Sequence, residues 1–137
     1  MGQRTRYAAT RLPTAAVGSS PFHSSEEAWF WFIRCQLMRH QGARPVAVSG
    51  ALARPCDPDD IYRAVIALHK GGVLCAAHLR TLSQYGLAER APDERCGEEA
   101  AAARLWDEAM GALDGYLRGK GIVGDYEIHH QLIDNKQ

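Results

Sequence analysis

The stretch from Asp57 to Gly86 constrains the fold more than any other part of this chain. Asp57-Pro58-Asp59-Asp60 is a helix start: an acidic N-cap, a proline at the first helical position, and two more carboxylates against the positive end of the helix dipole. Ile61, Ala64, Val65 and Leu68 follow at i, i+3, i+4 and i+7, a one-sided apolar stripe. Lys70 sits in the last turn and Gly71-Gly72 breaks the helix. A second short helix is then expected from about Cys75 to Tyr85, with Ala76, Leu79, Leu82 and Tyr85 inward and Gly86 closing it. Two helices joined so closely form a helix-turn-helix-like corner.

The flanking segments extend the same helical pattern. Ser24 and Glu27 have capping-box spacing and predict a helix over about 25–41, closed by Gly42. Its core is the run Ala28-Trp29-Phe30-Trp31-Phe32-Ile33, apolar nearly all round. A strand over Trp29–Ile33 is the competing reading, but the cap, the length and the lack of alternation favour a helix. The last long helix is expected over about 97–118. Ala102, Leu105, Trp106, Ala109, Met110, Leu113, Tyr116 and Leu117 repeat there at threes and fours, and Ile122-Val123 caps the core. Residues 43–56 and 87–96 read as loops. With 137 residues the chain has the size of one domain. The sequence predicts an all-α, single-domain bundle of about four helices over 25–123, between a flexible basic arm (1–24) and a polar C-terminal tail (124–137).

Sixteen basic and sixteen acidic residues cancel, but they are unevenly placed. Residues 1–56 hold seven arginines against Glu26 and Glu27, whereas residues 57–137 hold nine basic and fourteen acidic residues. Such polarity suits an anionic partner for the first half, or attraction between the halves. There is no apolar run of spanning length and no apolar signal core before Pro13, so the expectation is a cytoplasmic protein without a membrane partner. Cys35, Cys56, Cys75 and Cys96 are each about 20 residues apart, with no C-x-x-C pair. They read as small apolar fillers, with no metal and no cofactor implied. Phosphate-binding, nucleophile-elbow and zinc-protease motifs are absent. No residue set in the linear order supplies a nucleophile, a base and an orienter, so no enzyme is expected.

The corner carries the functional reading. Ala67, four residues before Gly71, has the small size that close helix–helix contact demands, and Gly71 suits a turn with positive φ. The second helix would then present His78, Arg80, Thr81 and Gln84 to a DNA groove, with Lys70, Arg4 and Arg6 on phosphates. The stretches His78-Leu79-Arg80 to Gly86, Leu105-Trp106-Asp107-Glu108-Ala109-Met110 and Gly119-Lys120-Gly121-Ile122-Val123 resemble small helical proteins of bacterial and phage transcription control. Region 4 of sigma factors is the nearest comparison. The resemblance covers about the last 80 residues and lacks that family's basic run on the recognition helix. It implies duplex DNA and RNA polymerase as partners of a small transcriptional regulator. The alternative is a protein-interaction adaptor or homodimer without nucleic-acid affinity, binding through Trp29, Phe30, Trp31 and Phe32. Four consecutive bulky side chains on a helix point in too many directions for one core to cover.

Overall fold

The computed structural model describes residues 20–42 and 54–124. Arg4, Arg6, the rest of the arm up to residue 19, the loop over 43–53 and the tail from 125 lie outside them. Among the described residues the chain is an all-α bundle: α1 (Ser25–His40), α2 (Pro58–Lys70), α3 (Ala76–Ala88) and α4 (Ala100–Gly119), the last entered through a 3-10 turn over Gly97–Glu99.

Local chemistry places each start. The Ser24 hydroxyl accepts from the Glu27 amide at 3.2 Å. The Glu27 carboxylate reaches back one residue further than a capping box requires, to the His23 amide at 2.7 Å. At α2 the Asp57 amide donates to the Asp60 carboxylate at 2.9 Å, closing a full capping box. Ile61, Ala64 and Val65 are buried, as the stripe predicts. Three of the helices pack around α4, which buries Ala103, Trp106, Ala109, Met110, Leu113 and Leu117.

Three expectations are corrected. Gly86 does not close α3. The helix runs on to Ala88 and ends with Glu89 in the left-handed conformation at φ 56°. Gly86 is instead a close-approach site, where a Cβ would lie 2.8 Å from Trp29 Nε1 and 3.0 Å from Ile33 Cγ1. Second, the buried residues of α3 are Thr81, Leu82, Tyr85 and Gly86, and Ala76, expected inward, is exposed; Leu79 is half-buried and packs on the core as expected. Thr81 fits because its hydroxyl donates to the Ala77 carbonyl at 3.0 Å. Third, Phe22 belongs to the core and not to the arm. It is fully buried, pairs with Val123 in a parallel bridge, donates its amide to the Ile122 carbonyl and accepts from the Gly124 amide. Ile122 and Val123 are buried beside it, as the sequence reading has them.

Candidate functional site

A five-residue turn, Gly71 to Cys75, joins α2 and α3, but the two helices scarcely touch each other. Ala67 is exposed, so no neighbouring helix demands its small size. Gly71 is right-handed at φ −81°, and Gly72 carries the positive φ of 82°. Leu74 is driven into the core, and the His69 ring bonds its carbonyl at 2.8 Å. The residues assigned to a groove-reading face are divided. Lys70, Arg80 and Gln84 are exposed, Thr81 is buried, and the His78 side chain is only 11% exposed. Two arginines of the basic first half are engaged within the fold: Arg39 pairs with Asp59 at 3.1 Å, and Arg54 with Glu27 at 3.2 Å. The attraction between the two halves of the chain is visible in the first of these.

The aromatic run of α1 is divided as well. Trp29 and Phe32 are buried, and the Trp29 indole N–H donates to the Leu82 carbonyl at 2.9 Å. Phe30 lies half-buried against Trp106 and Trp31 against Phe22, with ring centroids 5.7 and 5.1 Å apart. The four therefore form no exposed ridge: two are buried, and the other two are half-buried against Trp106 and Phe22. Trp29 and Phe32 do reach one opening, a groove of about 700 Å³ between α1, α2 and α3. Its floor also includes Ile33, Val65 and Leu82. The α2 side of the groove is a second stripe on that helix: Asp59, Tyr62, Arg63 and Ile66, again at i, i+3, i+4 and i+7. Tyr62 is 50% exposed and stacks on Phe32 at 6.1 Å. A second depression, about 530 Å³, is polar, and its cations Arg54, Arg63 and Lys120 share it with Asp57 and Asp60.

A third arrangement escapes a linear reading. Cys75 is the N-cap of α3, and its sulfur faces the amides of Ala77 and His78. His78 Nδ1 lies 3.0 Å from the Cys75 amide and 3.4 Å from Cys75 Sγ. His78 Nε2 bonds Glu108 Oε1, on α4, at 2.8 Å. The two amide N–H groups, that of His78 foremost, hold the Cys75 thiol below the ordinary range, and the Glu108 bond raises His78. Burial has the opposite effect on Cys35 and Cys56, pushing Cys56 up to about 12 with help from Asp60 and Asp57. Cys35 fits the filler reading, whereas Cys75 and Cys96 are exposed and do not. The C-x-x-H spacing, identical to that of a capping box, was the available signal for the local pair. The contribution of Glu108, thirty residues on, had none. No group of metal-ligating side chains occurs among the described residues, and no helix there is long and apolar enough to cross a membrane.

Comparison of the chain with protein-family models, with curated proteins and with solved structures gives no match.

Proposed function

We propose that the protein is an interaction module that seats an amphipathic helix of a protein partner in the groove between α1, α2 and α3. The observation that carries this reading is the second stripe of α2. Tyr62 and Ile66 extend the apolar floor outward, while Asp59 and Arg63 mark its edge with opposite charges. Helix-in-groove recognition uses such a surface, taking apolar anchors at i and i+4 into the floor and polar neighbours onto the rim. A volume of about 700 Å³ accommodates a few bulky side chains. Trp29 and Phe32 then serve a partner as the bottom of the site.

Duplex binding by a small regulator is the second reading. Lys70, Arg80 and Gln84 favour it, being exposed on the corner. One set of experiments separates the two. A photo-crosslinking residue at position 62, used in cells, is expected to trap one discrete protein other than this chain. That protein, purified, should bind the wild type at least roughly tenfold more tightly than Ile66→Glu, the scale of losing one buried anchor. An adduct with a second copy alone would replace the adaptor by a homodimer. No adduct, together with salt-sensitive affinity for mixed-sequence duplex, would move the assignment to DNA.

A further inference from the structure

We propose that Cys75 is a reactive thiolate, activated by His78 and Glu108, and that it forms a mixed disulfide with low-molecular-weight disulfides. The proposal is independent of the groove. It rests on three groups from two helices meeting in one order: nucleophile, base, orienter. Cys75 and His78 share the first turn of α3, and Glu108 comes from α4. A thiol at a helix start is not by itself a site, but here the imidazole beside it is fixed at both ring nitrogens.

The geometry assigns the protons. Nδ1 accepts the Cys75 backbone N–H, so in the neutral ring the proton is on Nε2, where it donates to Glu108. Cys75 Sγ lies 3.4 Å from the same nitrogen. Transfer of the thiol proton to Nδ1 displaces the Cys75 backbone N–H from that nitrogen's single lone pair and gives a thiolate and an imidazolium. The N–H groups of Ala77 and His78 stabilise the first, and the Glu108 carboxylate the second. The thiolate then attacks one sulfur of a small disulfide. The Cys75–sulfur bond forms, the disulfide bond breaks, and the leaving thiolate takes the proton from the His78 imidazolium. The net exchange converts thiol plus disulfide into mixed disulfide plus thiol, with no further oxidant. Of the charged groups nearby, His78 comes from α3 itself and Glu108 from α4, while His69 at the end of α2 is turned to the Leu74 carbonyl.

A small disulfide is the class of reagent the surroundings suit. Cys75 is exposed and lines neither of the two grooves described above, so its reagent needs no enclosed pocket. Cys35 is buried, and Cys56 is half-buried with its thiol held at about 12, so both stay largely protonated. Cys96 is the internal control: exposed like Cys75, with no imidazole bonded to its sulfur among the described residues.

The test is the rate of mixed-disulfide formation with glutathione disulfide, resolved by peptide mass spectrometry on the full chain across mildly acidic to mildly alkaline pH. Cys75 is expected to react about tenfold faster than Cys96 near pH 6, the size of effect a lowered thiol pKa gives. His78→Gln keeps an acceptor for the Cys75 amide but takes up no proton. It should shrink that acidic advantage to the share the Ala77 and residue-78 amides supply, and move the rate profile to higher pH. Glu108→Gln, at a half-exposed surface position, should give an intermediate profile with the fold retained by circular dichroism. Equal rates at Cys75 and Cys96 would overturn the proposal. So would an unchanged Cys75 profile in both variants.

Discussion

Glu99 collects the polar groups of the loop between α3 and α4. Arg90 grips it with two bonds of 2.9 and 2.6 Å, and the Asp93 amide adds a third at 2.8 Å. The Arg90 bonds, then the Asp93 amide, hold its carboxyl at about 2, below the ordinary value of 4.5. A carboxylate depressed in the folded state stabilises at neutral pH and loses that contribution as pH falls from 4.5 through about 2. Glu99→Gln should therefore unfold at lower urea than the wild type at neutral pH. The gap should close on acidification through that window, read as two urea midpoints against pH. Single residues are also where sequence reasoning failed most. Thr81 and His78 bring their partners with them, a carbonyl four residues back and a carboxylate on another helix. A hydropathy pattern assigns both outward because it registers only the side chain's own polarity.

Elements were far more legible. Caps, prolines and apolar spacing are local, so Ser24, Asp57 and the α4 stripe marked the helices with little dependence on tertiary structure. Gly86 shows the limit. A glycine that ends a helix and one that lets two helices approach look alike in one dimension. The two kinds make opposite predictions for the same substitution. Gly86→Ala gains helix propensity but drives a methyl into Trp29, which is itself anchored on the Leu82 carbonyl. The expected result is a net loss of about 1–3 kcal/mol in urea unfolding, the range for overpacking. Gly115→Ala, on the exposed side of α4 with nothing within 4 Å of the new methyl, should instead gain about 0.5–1 kcal/mol. The groove is also an element-scale feature. Its stripe on α2 was present in the order Asp59, Tyr62, Arg63, Ile66, but a stripe becomes a groove only when α1 and α3 stand on either side of it.

For the whole molecule, the decisive contact is the one that joins the two ends of the helical bundle. Phe22 is fully buried against Trp31, with the Arg54 guanidinium 4.3 Å above its ring, and its backbone is bonded to Ile122 and Gly124. Phe22→Ala should cost about 3–5 kcal/mol, the range for removing a core aromatic. Both ends of the bundle should lose hydrogen-exchange protection together, at the amides of Phe22 and Gly124. Nothing in the local sequence announced this, because one phenylalanine among serines and a single proline has no period to read. The same contact has a topological consequence. The chain enters the bundle and leaves it at neighbouring points, so the domain has the shape of a passenger. It can be spliced into a surface loop of another protein without forcing that loop apart, and its own ends can be sewn together and the chain reopened elsewhere.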